Sequence, residues 1–298
     1  DLMFVRNILS FLSNVISILY KGGEFMIGNV YNEELFFSES KFANLIFLPI
    51  QVNFQKIIAF FDTGASISFI KESVAKKLGL KLNKDIKKGG NNNGGEFEFS
   101  TCTVENINIG NINISNVIVG VIHDESLDFG TDDEGNTFPA SFIFGYDLIS
   151  ELCWSFDMYN NKVTIQNGGT MPLSDSMHWN NFVIINTKYN SQTTPMGFDS
   201  GHTETLLDNT WLTRIKDYYK VSRAIVGIAS QKDECVNIVE NLSLVVSDIE
   251  IKFRDIEILE HSILGASENS LFGLLGADMI SDKKWIIDAK SNYFKILQ

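Results

Sequence analysis

Most of the chain alternates in the manner of strands. The segments Ile46 to Phe61 and Phe182 to Phe198 are rich in β-branched and aromatic residues. Ile107, Ile109, Ile112 and Ile114 alternate with Asn and Gly, and Leu244 to Ile258 behaves in the same way. Helical spacing is confined to Glu72 to Leu80 and Leu207 to Tyr219. The pattern predicts an all-β chain with one short helix in each half. A different pattern opens the sequence. Phe4, Ile8, Phe11, Leu12, Val15, Ile16 and Leu19 recur with helical period, while Asn7, Ser10, Ser13, Asn14 and Ser17 share the opposite face. This amphipathic stretch is too short and too polar to span a bilayer, and no small-x-small cleavage site follows it at 20–23. It reads as a docking helix, a pro-segment, a vector-derived remnant or a peripheral membrane anchor through residues 4–20.

Beyond that segment the chain repeats itself. At an offset of 131 positions Gly145 meets Gly276, Asp147 meets Asp278, Ile149 meets Ile280, Trp154 meets Trp285, and Asp157 meets Asp288. Upstream the offset is 137, and Phe-Asp-Thr-Gly at 61–64 meets Phe-Asp-Ser-Gly at 198–201. A duplication therefore divides the chain into residues 1–25, a first lobe at 26–167 and a second at 168–298, with the junction at Asn167-Gly168-Gly169.

Composition narrows the function. With 24 Lys and Arg against 37 Asp and Glu, the net charge is −13. A chain this acidic, without a basic patch, repels a phosphate backbone, so nucleic acid is not an expected partner. Cys102, Cys153 and Cys235 are odd in number and far apart. His123, His178 and His261 lack partners at metal spacing. Neither a disulfide scaffold nor a metal site is expected, and the thiols lean toward a reducing, cytoplasmic compartment, with membrane association or export left open.

The chemistry lies in the duplicated motif. Asp62-Thr63-Gly64 and Asp199-Ser200-Gly201 each follow an apolar strand, and each precedes a distant apolar pair and glycine, Ile143-Phe144-Gly145 and Leu274-Leu275-Gly276. One such triplet is a common turn. Two at equivalent repeat positions resemble the aspartic peptidases of the pepsin and retropepsin clan, bilobal in one chain as in pepsins. The resemblance runs from about residue 42 onward. It implies two β-rich lobes with psi-loops, a cleft between them, no cofactor, and a polypeptide substrate. Two facing carboxyls cannot both ionise cheaply, so they share a proton: one activates a water while the other donates to the scissile carbonyl. By resemblance the catalytic residues are Asp62 and Asp199, supported by Thr63, Gly64, Ser66, Ser200, Gly201 and Thr203. A substrate-covering flap falls at 88–95, with Gly89, Gly90, Asn92 and Gly94 at its tip.

Three features shape the expected activity. Pepsins carry Ser or Thr three residues after each catalytic Asp; here Ala65 and His202 stand there. Loss of a donor at Ala65 points to a mildly acidic to near-neutral optimum, roughly pH 5–7, and to a processing endopeptidase rather than a digestive one. From Asp62 to Gly145 there are six more residues than from Asp199 to Gly276, placed by their acidity at 124–134. That insertion reads either as a solvated loop or as a charge that selects Lys or Arg in the substrate. The alternative to an enzyme is a degenerate module that binds peptides in the same cleft. Because both acids lie in one chain, the active unit is expected to be a monomer. Activity per mole should stay constant on dilution through the nanomolar range, and a steep fall would sink that expectation.

Overall fold

The structure is a computed structural model. It describes residues 25–28, 30–90, 96–179, 183–227, 230–259 and 271–297, with side chains described except at 96, 179 and 222–235. The amphipathic segment at 4–20 lies outside the described residues. No helix of the described residues is long and apolar enough to cross a membrane.

Each lobe is built on a ring of six strands. In the first, Phe47–Val52 pairs with Gln55–Phe61, which runs parallel to Phe142–Phe144; that strand meets Phe69–Lys71, which runs parallel to Ile112–Ile122. The long strand Glu96–Ile109 then joins Ile112–Ile122 back to Phe47–Val52 and closes the ring. The second lobe repeats every step with Val183–Tyr189, Gln192–Phe198, Gly273–Leu275, Leu206–Leu207, Ile249–Ile258 and Ser230–Val246. In both rings a short strand inserts between the two that flank the Asp-Thr/Ser-Gly turn, which is the psi-loop arrangement. Closure removes exposed ladder edges.

Local sequence explains the hairpins. Asn53-Phe54, Asn190-Ser191 and Ser247-Asp248 have φ of 45° and 68°, 48° and 65°, and 51° and 62°. Such paired positive values belong to two-residue turns whose twist matches that of the strands, and Asn and Asp tolerate them best.

A third sheet joins the lobes. Its strands run in the order Glu33–Phe36, Lys162–Asn167, Leu152–Asp157, Lys284–Asp288 and Tyr293–Leu297, and its central pairing sets Phe156 opposite Trp285. Those two rings stack at 4.2 Å and 12°. Phe61 stands edge-on to Trp154 and Phe156, both at 5.0 Å, and Phe198 edge-on to Trp285 at 5.8 Å. The residue before each candidate catalytic aspartate therefore rests on one aromatic floor shared by both lobes. Trp154 and Trp285, repeat-equivalent in sequence, are fully buried in it.

The helical expectations are revised. Glu72–Lys77 is an α-helix, ended by Gly79 at φ +68° with Leu80 N–H bonded to Ala75 O, a C-terminal wrap that takes up the residues expected to prolong it. The first lobe holds a second short helix, Tyr146–Ile149. Over Leu207–Tyr219 the second lobe has a 3-10 turn, Asn209–Thr213, and then a strand from Tyr219. Trp211 explains the difference: it is fully buried, edge-on to Tyr189 at 4.8 Å, and its indole N–H bonds to Phe272 O, so the segment is pinned within one turn. Cys102 and Cys153 are buried free thiols, pushed by burial to about 11.

Replacing Trp285 with Ala removes the centre of the floor. It should cost about 3–5 kcal/mol in urea unfolding, and a loss under about 1 kcal/mol would show that the floor does not hold the lobes.

Candidate active site

Strand Gln55–Phe61 delivers Asp62, and strand Gln192–Phe198 delivers Asp199, to the same point between the lobes. Both carboxyls are fully buried. Gly64 N–H at 2.8 Å and Ala65 N–H at 3.2 Å donate to Asp62 Oδ1, and Gly201 N–H at 2.8 Å donates to Asp199 Oδ1. The outer oxygens, Asp62 Oδ2 and Asp199 Oδ2, take no hydrogen bond from any described protein group. Each glycine faces the opposite acid. A Cβ on Gly64 would stand 2.4 Å from Asp199 Cγ, and one on Gly201 2.5 Å from Asp62 Cγ. Only glycine lets the loops approach so closely.

Reciprocal hydroxyls fix the register. Thr63 Oγ1 donates to Phe198 O at 3.1 Å and accepts from Ser200 N–H at 2.9 Å. Ser200 Oγ donates to Phe61 O at 3.0 Å and accepts from Thr63 N–H at 3.0 Å. Three polar groups from each lobe are thereby satisfied by the other lobe through four hydrogen bonds, and separating the lobes would leave all of them unpaired.

Of the remaining expected support residues, the structure brings neither hydroxyl to the acids. Ser66 and Thr203 bond to neither aspartate among the described residues; Thr203 contributes its carbonyl, which accepts from Asn44 Nδ2 at 3.0 Å across the lobes. Two residues further on, Ser68 and Thr205 bond instead to Asp147 and Asp278. Sequence reasoning missed that role. The available signal was that Ser68 and Thr205 share the 137-position offset of the motif.

Electrostatics separate the two acids. Burial pushes Asp62 up to about 6, against the lowering influence of Asp199, Gly64 and Ala65 as hydrogen-bond partners. Burial and then the charge of Asp62 hold Asp199 well above the usual carboxylate range. His202 is buried beside Asp199, and its desolvation lowers it to about 4. Its Nδ1 lies 2.5 Å from Glu204 O, so the ring is neutral with the proton on Nδ1, directed at that carbonyl rather than at the dyad.

Each lobe carries a hairpin at an equivalent place. Lys87–Gly90 pairs with Glu96–Phe99 in four steps at the expected flap. Gly89 lies against the ring of Phe97, where a Cβ would meet Cζ at 2.5 Å. Gly90 ends the described strand, while Asn92 and Gly94 lie outside the described residues. At the equivalent place in the second lobe, Tyr219–Gly227 pairs with Ser230–Ile238 in nine steps, a hairpin that starts where helical spacing was expected to end. The acidic insertion is tied down locally. Asp132 accepts from Ala43 N–H at 2.8 Å, Glu134 N–H at 3.0 Å and Asn136 N–H at 2.8 Å, and Asp124 accepts from Ser73 N–H at 3.0 Å and Ser73 Oγ. No cluster of metal-ligating side chains occurs among the described residues.

Comparison with known proteins agrees with this geometry. Residues 48–150 match the family model described as "gag-polyprotein putative aspartyl protease". The whole architecture superposes on an aspartic proteinase from Irpex lacteus with a TM-score of 0.52 and 11% identity, covering 90% of this chain and 97% of that one. The chain has the bilobal aspartic peptidase fold. A retropepsin-like aspartic protease from Rickettsia conorii also matches, at 18% identity over 48% of this chain and 92% of that one, with a TM-score of 0.29. A search of curated proteins gives no match. In this aspartic peptidase fold the family match spans the first Asp-Thr-Gly turn, and the second is supplied by the repeat.

A carboxyl held above its unfolded value stabilises the folded chain fully below that value, near pH 4, and the contribution is lost as pH rises through about 6. Asp62→Asn removes this dependence. Its Tm relative to wild type should therefore be more favourable at pH 7 than at pH 4, by up to about 3 kcal/mol in stability. An equal difference at both pH values would show that Asp62 titrates normally.

Proposed function

We propose that the protein is an aspartic endopeptidase whose catalytic groups are Asp62 and Asp199, carried by lobes at 26–167 and 168–298 and active as a monomer. The observation that supports this reading most is the crossed pair of Asp-[Thr/Ser]-Gly loops. Two buried carboxyls are cradled by their own glycine amides and locked by reciprocal Thr63 and Ser200 hydroxyls. A degenerate binding module has no need of two buried acids, both raised by burial, since that burial is costly and useful only for moving protons.

The arrangement suits hydrolysis by an activated water. Between the two titrations the dyad carries one proton. The ionised carboxyl takes a proton from a water poised between the outer oxygens as that water attacks the peptide carbonyl. The protonated partner donates to the carbonyl oxygen, giving a neutral gem-diol. Collapse returns a proton to the leaving nitrogen and resets the pair. The titrations belong to the dyad as a whole, so neither acid has a fixed role in every step. Burial of both acids strengthens each of these electrostatic interactions. The two hairpins are placed to cover a polypeptide in the cleft. A processing role fits an acid limb near 6, because such an enzyme works best from mildly acidic to neutral pH rather than in strong acid.

Asp62→Asn and Asp199→Asn should each lower kcat on a quenched peptide substrate by more than about a thousandfold, about 4 kcal/mol in barrier, while keeping the fold. Wild type should show a bell-shaped kcat/KM profile with an acid limb near pH 6, and Ala65→Ser, which restores a donor beside Asp62, should move that limb downward. Retention of a tenth of the activity in either Asn variant, or an optimum below about pH 4, would defeat the assignment.

A further inference from the structure

Behind each active-site loop lies a second, partly buried carboxylate with no part in the chemistry above. Ser68 Oγ donates to Asp147 Oδ1 at 2.7 Å and accepts from Gly145 N–H at 3.0 Å. Thr205 Oγ1 donates to Asp278 Oδ1 at 2.7 Å and accepts from Gly276 N–H at 3.1 Å. The same atoms make the same bonds in both lobes, although the hydroxyl residue differs. We infer that Ser68 with Asp147, and Thr205 with Asp278, are positioning pairs that hold the two amide cradles at hydrogen-bonding distance from Asp62 and Asp199. The inference rests on reading those two acids as catalytic.

The physical argument is one of direction. A hydroxyl has a single proton, and an ionised carboxylate can only accept; burial pushes Asp147 up to about 6 and Asp278 upward too, so at neutral pH, where both are ionised, they draw that proton toward themselves. The hydroxyl lone pairs are then left facing Gly145 and Gly276 N–H. Without the carboxylate the hydroxyl is free to rotate and the glycine amide can lose its acceptor. The linkage passes straight to the dyad. Asp62 N–H bonds to Phe144 O at 3.1 Å, and Tyr146 N–H to Ala65 O at 2.7 Å. Asp199 N–H bonds to Leu275 O at 3.0 Å, and Ala277 N–H to His202 O at 2.7 Å. Gly64 and Ala65, whose amides hold Asp62, thus lie on a loop pinned at its start, its middle and, through Ser68, its end. There is no slack in the contact. A Cβ on Gly145 would stand 2.6 Å from the Ile67 carbonyl, and one on Gly276 2.5 Å from that of Glu204. A shift at either hydroxyl is therefore passed to the amides that cradle the acids.

The test uses the full chain and a quenched peptide cleaved by wild type. Ser68→Ala and Thr205→Val keep the partly buried carboxylates but remove the hydroxyls. Each should lower kcat about tenfold or more with KM within about twofold. Each should also move the acid limb of the pH–rate profile upward by about half a unit, because slackened amides stabilise the carboxylate less. Ser68→Thr and Thr205→Ser should restore both. Wild-type kcat and profile in the Ala and Val variants, or a rise in KM alone, would overturn the inference. If those variants fold poorly, Asp147→Asn and Asp278→Asn decide. Asp278 accepts from Thr205 N–H on Oδ2 at 2.9 Å and from the Thr205 hydroxyl on Oδ1, and Asp147 likewise accepts from the Ser68 hydroxyl and the Ser68 backbone N–H, with Leu148 N–H also on Oδ1. An amide must then oppose a donor in either lobe, so each Asn variant should lower kcat with KM within about twofold, and wild-type kcat in both would overturn the inference. Wild type inactive on every peptide would overturn the peptidase reading and this inference with it, whereas unchanged variants of an active wild type overturn this inference alone.

Discussion

Two carboxyl groups buried side by side at the junction of two lobes are the constraint on which this structure turns. Each would be ionised in water, and neither can be ionised cheaply beside the other in a dry site. The fold meets that cost with donors that neither side chain could recruit alone. Gly64, Ala65 and Gly201 direct N–H groups at the inner oxygens, and the outer oxygens are left for chemistry. Because the donors are backbone groups, their placement is a matter of loop conformation. The remaining architecture can be understood as what holds two loops still.

Three supports act on those loops from different sides. From across the cleft, Thr63 and Ser200 exchange hydrogen bonds, so each loop is registered against the other. From below, Phe61 and Phe198 stand on the stacked rings of Phe156 and Trp285, in a sheet to which both lobes contribute strands. From behind, Ser68 and Thr205 tie each loop to the glycine of its inserted strand. None of the three supports relies on an exposed ion pair, whose strength solvent would screen. The pseudo-twofold relation between lobes makes every support double, and a defect in one lobe is felt at both acids because the acids share a proton.

The lobes are not identical, and the differences lie where asymmetry serves the site. Position 65 is Ala and position 202 is a neutral buried His turned to its own loop carbonyl, so neither side chain offers the dyad a donor. The hairpin over the first lobe pairs in four steps and that over the second in nine. Asp132, in the longer connection of the first lobe, accepts from Ala43 N–H, next to the Asn44 that reaches Thr203 O in the second catalytic loop. Within that connection Asp124, Asp128 and Asp132 satisfy backbone donors.

Much of this was legible in the residues themselves. The doubled Asp-[Thr/Ser]-Gly, the paired glycines 145 and 276, and the paired tryptophans 154 and 285 carry identity and spacing along the chain, and spacing survives folding. Strand alternation and turn residues such as Asn53 and Asn190 are local as well, so the all-β class could be read from them. Tertiary structure decided the rest. Helical spacing over Leu207–Tyr219 gave way to burial of Trp211 against Tyr189 and Phe272, contacts that no local window contains. Ser66 and Thr203 lay nearer the motif in sequence, yet Ser68 and Thr205 bond to the partly buried carboxylates, because the helical turns that carry Asp147 and Asp278, just after the inserted strands, return from more than seventy residues away. The raised pKa values of Asp62 and Asp199 arise only when the lobes meet and exclude water from both. Sequence thus determined which groups the protein possesses and that it possesses them twice; burial and long-range closure alone determined which groups touch, and proton affinity follows from touching.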